Sequence, residues 1–368
     1  MSGAAAGTNA GAQAHAEANA GAQAHAEANA GAQARAEAIA GFLARAGFAG
    51  ARLDWLAADA SFRRYGRLSG GPVPALVMDA PPGKEDVGPW LRIARHLVGL
   101  GFSAPRVLAE DAAAGLLVIE DFGDDTFTRL LARGENEAAL YDLAVDVLAT
   151  LHARPDAVPA GLAPYDGDRL LAEAALFTDW YLPAIRGRDT GAAEREDYCA
   201  LWREAFALAA PARPTLVLRD YHVDNLMRVA GRGGIAACGL LDFQDALAGH
   251  PAYDLVSLIE DARRDLGPGI AERARARYIA QCPEAAGEDF AAAGAVLAAG
   301  RNAKIIGIFT RLCRRDGKPR YLAHIPRVWR LLERDLAHPA LAPLRRWFDA
   351  ALAREARIAP APSPTKGP

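Results

Sequence analysis

The sequence predicts an α+β protein with a small strand-rich N-terminal lobe and a larger helical C-terminal lobe. Its 368 residues exceed the usual size of one domain and suggest about two. Short apolar runs separated by turn residues are concentrated between residues 51 and 120, and almost everything from 126 to 357 reads as helix. We therefore assign residues 36–123 to the first lobe and residues 124–358 to the second.

Composition limits the class of protein before any motif is considered. The chain has 42 Lys and Arg against 45 Asp and Glu, a formal net charge of −3, which disfavours a nucleic-acid-binding surface. Ala291–Ala299, an apolar Ala/Val/Leu stretch, is much shorter than the ~20 residues that a membrane helix needs. No signal peptide is visible at the start. The four cysteines are far apart and form no CxxC pair, so we expect a cytoplasmic protein with neither nucleic-acid nor membrane partners.

Both ends of the chain differ from the rest. GAQAHAEANA occupies residues 11–20 and 21–30, and a divergent third copy follows at 31–40. The first two copies carry no large apolar residue, so we predict a disordered tail over 1–35 and assign no metal to His15 and His25. Residues 359–368 form a second, Pro-rich tail.

The first lobe is predicted to combine one sheet with two helices. Apolar spacing indicates a helix over residues 36–48, and a second helix from Asp86 to Leu100 precedes Gly101, which suits a left-handed helix end. The turn Ser69-Gly-Gly-Pro72 separates two of the strands. The predicted strands are Arg52–Leu56, Arg63–Leu68, Ala75–Asp79, Arg106–Ala109 and Leu116–Glu120.

The second lobe is predicted to be helical with one small β insert. Its first helices are Thr126–Ala132, Glu135–Ala153, Asp168–Ala184 and Ala192–Ala209. The insert has strands at Thr215–Leu218, Leu226–Val229 and Ile235–Leu241, after which helix continues to Arg357.

Three short oxygen-bearing side chains follow the apolar strands of this insert. Asp220 comes just after one strand, Asn225 lies five residues later, and Asp242 ends the next strand. Such ligands suit hard cations like Mg²⁺. An Asp-x-x-x-x-Asn followed by a strand-borne Asp matches the catalytic apparatus of the kinase fold, in which position and charge stabilise the transferring phosphoryl group. A single Asp after a strand is more often a turn former, but the ordered set favours the kinase interpretation.

These residues also carry a family resemblance. Asp220-x-His-x-x-Asn225, Leu241-Asp-Phe243 and Gly249-His-Pro-x-x-Tyr-Asp-Leu255 resemble the aminoglycoside phosphotransferase and choline kinase superfamily. Within this superfamily, several short sequence runs are similar to those of bacterial anomeric kinases of N-acetylmuramate and N-acetylglucosamine, which act in cell-wall sugar recycling. The supporting runs are Ala60-Ser-Phe-Arg-Arg-Tyr65, Val77-Met-Asp-Ala-Pro-Pro82, Phe177-Thr-Asp-Trp-Tyr-Leu-Pro183, Asp242-Phe-Gln-Asp245 and a basic stretch from Arg301 to Lys318.

The resemblance implies a bilobal protein-kinase-like fold that binds ATP and Mg²⁺ in the cleft between its lobes. Asp220 would be the catalytic base, and Asn225 and Asp242 would hold the metal. The segment Glu120-Asp-Phe122 would form the hinge whose backbone meets adenine.

Two further residues of these motifs receive supporting roles by the same resemblance. His222 would shape the loop rather than take part in the chemistry. Asp254 would be structural, as a cap or in a buried pair.

The chain departs from the superfamily pattern on the nucleotide side. The third strand, Ala-Leu-Val-Met-Asp, has Met78 or Asp79 where a phosphate-binding Lys or Arg is expected, and no Gly-rich loop precedes it. Our hypothesis is that Arg63 or Arg64 supplies this charge, because a guanidinium fork matches phosphate oxygens. The alternative is that both arginines are solvated at a strand edge. The HRD-type histidine is also absent, because Leu218 stands two residues before Asp220.

The acceptor site is less sharply indicated. We expect Trp180 to stack on a sugar ring and Asp179 to bind sugar hydroxyls. The alternatives are that Trp180 is a core aromatic residue and that Asp179 is a solvated acid. We expect the acceptor to be a small amino sugar phosphorylated at its 1-hydroxyl. The alternatives are another alcohol, such as an aminoglycoside, choline or a homoserine-like compound, or a pseudokinase that only binds. The sequence leaves the oligomeric state open.

Overall fold

The computed structural model describes residues 30–57 and 62–362. The described chain forms two compact units: one contains residues up to Gly88 together with Arg106–Asp121, and the other contains Pro89–Pro105 and everything from Phe122 onward. The small antiparallel sheet of the first and the helices of the second confirm the predicted α+β class. The chain passes into the second unit at residue 122, close to the predicted boundary, but the predicted helix Asp86–Leu100 lies almost wholly in the second unit. The repeated segment with His15 and His25, and residues 363–368, lie outside the described residues.

The first unit is one antiparallel sheet with a helix, α1, over residues 30–45. The strand order is β1-β2-β3-β5-β4. Ile39, Phe42 and Leu43 of α1 pack against Val77 and Val118 of the central strands. The strands are β1 Arg52–Trp55, β2 Arg64–Ser69, β3 Ala75–Asp79, β4 Val107–Asp111 and β5 Leu116–Glu120.

Helix α1 already includes residues 30–35, which the sequence assigned to the disordered tail. The Arg35 guanidinium explains part of this difference, because its Nε and Nη2 donate to Asp79 Oδ1 at 2.8 and 2.6 Å. This contact joins the helix to β3 across 44 residues of sequence. Local composition carries no information about such a pairing.

The second unit is built around one long central helix, α10. It packs against α8, α11 and the region around α5. The helices are α2 Gly88–Gly99, α3 Phe127–Ala132, α4 Glu137–Ala153, α5 Gly167–Ala174, α6 Leu182–Arg186, α7 Ala192–Ala207, α8 Ala252–Ile259, α9 Ile270–Gln281, α10 Glu288–Arg314, α11 Ile325–Asp335 and α12 Ala342–Ala351.

Two strand pairs carry the loops of the insert. Strand β6 (Thr215–Val217) pairs with β9 (Leu247–Gly249), and β7 (Leu226–Arg228) pairs with β8 (Cys238–Leu240), both antiparallel. Strand β9 was not predicted, because three residues of Leu-Ala-Gly carry no strand signal by themselves. The first half of the predicted strand Ile235–Leu241 is a 3₁₀ turn instead.

The helix predicted over Asp168–Ala184 is interrupted. A π-helical turn, Phe177–Tyr181, lies between α5 and α6. The backbone of α10 approaches closely here, because a Cβ on Gly307 would lie only 2.4 Å from the carbonyl carbon of Leu176. Phe177 is buried in the same region against Trp329 and Phe348. The interruption therefore follows from tertiary packing that the local sequence does not encode.

Among the residues that the structure describes, one helix is long and apolar enough to cross a membrane by length and composition alone. It is α10, whose most apolar 18-residue window is 67% buried inside the protein. Its middle carries the polar residues Arg301, Asn302 and Lys304. α10 is therefore the core helix of its unit.

Candidate active site

The loop between β6 and β7, which carries Asp220, turns through a backbone conformation that is rare for residues other than glycine. Arg219 has φ of +70°, in the left-handed region. Asp254 of α8 fixes this turn, because its Oδ2 accepts from the Leu218 N–H at 2.6 Å and its Oδ1 from the Arg219 N–H at 2.9 Å. Ser257 Oγ donates to the Arg219 carbonyl at 3.1 Å. The turn aims the exposed Asp220 out of the fold.

Asp254 is fully buried. Burial raises the pKa of its carboxyl to about 7, although the backbone N–H donors of Leu218 and Arg219 act in the opposite direction. The sequence resemblance gave Asp254 a structural role, and its hydrogen bonds to the loop backbone agree with that role.

The structure brings Asn225 and Asp242 together beside Asp220. Asn225 Nδ2 donates to the Asp220 carbonyl at 2.9 Å and lies 3.4 Å from Asp242 Oδ2. The Leu241 N–H donates to the Asn225 carbonyl at 3.0 Å, which ties the two loops to each other. Asp242 also has a left-handed φ, +58°, and its Oδ1 accepts from Gln244 Nε2 at 2.8 Å.

This donor set fits Mg²⁺. Since the Asn225 amide nitrogen makes the contacts just described, its oxygen is the atom left to face a cation, next to the carboxylate of Asp242. One amide and one carboxylate oxygen are the kind of sparse protein ligation that Mg²⁺ uses when substrate phosphates and water complete its shell.

A charged network that the sequence analysis did not identify holds the loop from the other side. The Arg219 guanidinium pairs with Glu173 of α5, stacks over the Tyr165 ring at 5.3 Å and donates to the Asp245 carbonyl at 3.2 Å. Glu173 also pairs with Lys304 of α10 at 2.8 Å. Burial raises the pKa of Glu173, but Lys304 and Arg219 outweigh it and hold that pKa below its ordinary value. The feature of the sequence that could have pointed to this network is Arg219, the residue directly before the candidate base Asp220.

The two arginines predicted to bind phosphate lie in the first unit. Arg64 pairs with Asp79, and its guanidinium lies 4.5 Å from the centre of the Trp55 ring. Arg63 Nε lies 3.8 Å from Glu85 Oε2. Asp79 is fully buried and pairs with Arg35 as well. Asp79, one of the two residues that the sequence analysis considered for the expected lysine position, is therefore the centre of a salt-bridge triad with a net positive charge.

The two predicted hinge residues, Glu120 and Phe122, lie on either side of the point where the chain leaves the first unit and enters the second. Glu120 accepts from Arg106 Nε at 3.0 Å in the first unit. Phe122 in the second unit packs where Gly239 leaves room, since a Cβ on Gly239 would come within 2.7 Å of its ring.

The two predicted sugar-binding residues lie on the π-helical turn. Asp179 is held by Arg195 of α7, whose Nε and Nη2 donate to its carboxylate at 2.7 and 3.1 Å. Trp180 is half-buried, whereas Tyr181 is in the core. Neither Asp179 nor Trp180 has a hydrogen bond or ion pair to the catalytic loop within the described part of the chain.

Comparison with known proteins places this arrangement in a family. The profile of the Phosphotransferase enzyme family (APH) matches residues 53–293. The chain is 39% identical over 337 residues to the N-acetylmuramate/N-acetylglucosamine kinase of Caulobacter vibrioides, covering 82% of this chain and 93% of that protein. It is also 39% identical over 300 residues to the protein of the same name from Pseudomonas aeruginosa, covering 78% and 85%.

Solved structures give the same fold at low sequence identity. A choline/ethanolamine kinase family protein from Mesorhizobium loti matches with a TM-score of 0.56 at 14% identity, covering 86% of this chain and 97% of that chain. The GDP complex of aminoglycoside 2'-phosphotransferase-IIIa matches with a TM-score of 0.54 at 16% identity, covering 78% and 92%. These matches confirm the predicted kinase-like fold. On its sequence and its fold together, the chain belongs to the phosphotransferase enzyme family and is a nucleotide-binding kinase.

Proposed function

We propose that this protein is an ATP-dependent kinase that phosphorylates the anomeric hydroxyl of N-acetylmuramate, N-acetylglucosamine or both, in peptidoglycan recycling. Four relatives that are 34–39% identical over most of the chain carry the name N-acetylmuramate/N-acetylglucosamine kinase, which supports this acceptor. We place the activity in the cytoplasm, where ATP is available.

The observation that carries the proposal is the convergence of Asp220, Asn225 and Asp242 on one edge of the second unit. Two separate loops supply them, and the Asn225 amide contacts both the Asp220 backbone and the Asp242 carboxylate. A scaffold that only bound ligands would not need this arrangement of a base next to two oxygen ligands.

The mechanism assigns a task to each side chain. Asp220 orients the acceptor hydroxyl for in-line attack and takes its proton at a carboxylate oxygen. Asn225 and Asp242 would hold Mg²⁺ through their side-chain oxygen atoms, and the bound ion would supply positive charge to the nucleotide phosphates. Asp254 keeps the turn before Asp220 in place, so that the carboxylate does not have to be ordered at the moment of transfer.

ATP would be recognised by the two parts of the chain that the sequence analysis assigned to the nucleotide, the arginine pair and the predicted hinge. Arg64 or Arg63 would pair with phosphate oxygens, and the backbone of the segment from Glu120 to Phe122 would meet adenine. The net positive charge of the triad formed by Arg35, Arg64 and Asp79 supports a phosphate-binding role for Arg64, whose side chain is 49% exposed.

The test is phosphoryl transfer from labelled ATP with Mg²⁺ to a panel of acceptors. The panel contains N-acetylmuramate, N-acetylglucosamine, an aminoglycoside, choline and homoserine, and NMR locates the phosphate in any product. We expect transfer to the 1-position of the amino sugars. Transfer only to another alcohol would show that the acceptor is not an amino sugar. Mg²⁺-dependent ATP binding without any transfer would favour a pseudokinase.

A further inference from the structure

A cavity of about 350 Å³, here called the α8 cavity, lies on the face of α8 that points away from the catalytic loop. Asp254 and Ser257 of α8 hold the turn before Asp220, whereas Val256 and Ile259 line the cavity. At 3.6 residues per turn, Val256 is rotated about 200° from Asp254 around the helix axis, and Ile259 about 200° from Ser257. The α8 cavity is therefore separate from the site that carries Asp220.

The walls of the α8 cavity are apolar, and small residues keep it open. Ala291, Ala295 and Ala298 of α10 lie on one helix face and line one side. Val256 of α8 and Ile279 of α9 line the cavity as well. An apolar cavity of about 150 Å³ holds one benzene molecule. The α8 cavity, at about 350 Å³, therefore has room for a hydrocarbon body of about eight carbon atoms.

One end of the α8 cavity is polar, and its two acids are buried and already hydrogen-bonded. Asn302 Nδ2 donates to Glu260 Oε2 at 2.9 Å and to Asp335 Oδ2 at 2.8 Å. Arg334 Nη2 lies 2.6 Å from the other oxygen of Glu260, Oε1. Burial and the negative charge of Glu260 raise the pKa of Asp335 well above its ordinary value, which favours the protonated form. These acids are therefore poorly placed to receive a cationic ligand.

The accessible charge at this end is positive. Arg275 and Arg334 both line the cavity, and their side chains are 45% and 52% exposed. Arg275 Nη2 lies 3.7 Å from Glu260 Oε1, the same oxygen that Arg334 contacts. A guanidinium has five N–H donors, so both arginines keep donors for a further acceptor. Two accessible guanidinium groups share one buried carboxylate, and an anionic head group complements them.

We propose that the α8 cavity is a second ligand site and that it binds a small amphipathic carboxylate. The hydrocarbon body lies between α8, α9 and α10, and the carboxylate accepts hydrogen bonds from Arg275 and Arg334. A fatty acid of about eight carbon atoms matches both the volume and the charge of the site. This inference goes beyond the proposed function, because the α8 cavity takes neither the nucleotide nor the sugar.

The test is isothermal titration calorimetry on the full chain, without nucleotide or sugar, using octanoate, octanol and octylamine. These probes share one hydrocarbon body and differ in the charge of the head group. We expect one octanoate per chain, octanol at least about tenfold weaker and octylamine without measurable binding. Ala295→Phe should abolish octanoate binding by filling the cavity. Arg275→Ala should weaken octanoate about tenfold and octanol less than about twofold, and Arg275→Lys should restore part of the loss.

Two matched controls should bind octanoate like the wild type. Ala340→Phe fills a different cavity, of about 160 Å³, between α7 and α12. Arg273→Ala removes an arginine of α9 that pairs with Asp142 and does not line the α8 cavity. Octanoate should also raise the melting temperature of the wild type but not of Ala295→Phe, because a ligand that binds only the folded state stabilises it.

Three results would overturn the α8 cavity as a carboxylate site. The first is no octanoate binding by the wild type, and the second is binding of octanol or octylamine as tight as that of octanoate. The third is an octanoate affinity that Ala295→Phe or Arg275→Ala leaves unchanged. Should Ala295→Phe fail to fold, the Arg275 variants decide the question by the difference between octanoate and octanol. None of these readouts depends on phosphoryl transfer, so failure of the proposed function would be recognised separately.

Discussion

Asp79 in the first unit and Asp254 in the second are both fully buried, and the two aspartates are stabilised in different ways. Asp79 of the first unit is paired with two guanidinium groups, those of Arg35 and Arg64. Asp254 of the second unit accepts two backbone N–H groups from the turn before Asp220. The first carboxylate joins a helix to a sheet, whereas the second holds the backbone on which the candidate base stands. Loss of Asp79 should therefore reduce stability, and loss of Asp254 should reduce turnover.

Asp79→Asn should have the largest energetic effect. Removing the carboxylate leaves Arg35, which is 19% exposed, without its counter-ion and detaches α1 from β3. Breaking a buried ion pair in this way typically costs about 3–5 kcal/mol, here at the lower end because Arg64 reaches solvent. Denaturant unfolding measures the loss, and kcat at saturating ATP should change much less. A variant of normal stability with reduced kcat would contradict the distinction between the two aspartates.

Asp254→Asn should have the opposite effect to Asp79→Asn, with a larger loss of kcat than of stability. The Asn side chain keeps one acceptor but places an N–H₂ against the second backbone N–H, so the turn at Leu218 and Arg219 shifts. A displacement of this kind near reacting groups can cost about 100-fold in rate. Steady-state kinetics should show the loss in kcat, with ATP affinity close to that of the wild type. If ATP affinity fell as much as kcat, Asp254 would not act specifically on the base.

Arg64→Ala and Arg35→Ala form a matched pair within the first unit. Both arginines hold Asp79, but the Arg64 side chain is 49% exposed and the Arg35 side chain 19%. We expect Arg64→Ala to weaken ATP binding about tenfold, through loss of charge-assisted hydrogen bonds to phosphate. Arg35→Ala should lower only the melting temperature.

Calorimetry with ATP on both variants, and on Arg63→Ala, distinguishes a phosphate-binding arginine from a solvated one. Unchanged ATP affinity in Arg63→Ala and Arg64→Ala would refute the hypothesis that either one replaces the missing lysine.

The same two regions show what the sequence could reveal. The loop bearing Asp220 and Asn225 was predictable, because both residues follow one apolar strand at a fixed spacing. The contact between Arg35 and Asp79 was not, because it spans 44 residues and depends on how α1 packs on the sheet. The sequence suggested Asp79 only as a departure from the expected lysine.

The surroundings of Asp179 and Trp180 could not be predicted for a related reason. Asp179 and Trp180 looked suitable by residue type, but the π-helical turn directs Asp179 to Arg195. Burial and unsatisfied hydrogen-bonding atoms are properties of the fold, and they appear only when the helices are packed.

The central claim is that Asp220 is the base of a sugar kinase, and Asp220→Asn tests it most directly. The variant keeps the size of the side chain and removes its ability to take a proton, so phosphoryl transfer to the amino sugars should fall by about 10²- to 10⁴-fold. ATP affinity and the melting temperature should remain those of the wild type, because Asp220 is exposed and the Asn225 contact is to its backbone carbonyl. Transfer at the wild-type rate in this variant would contradict the account.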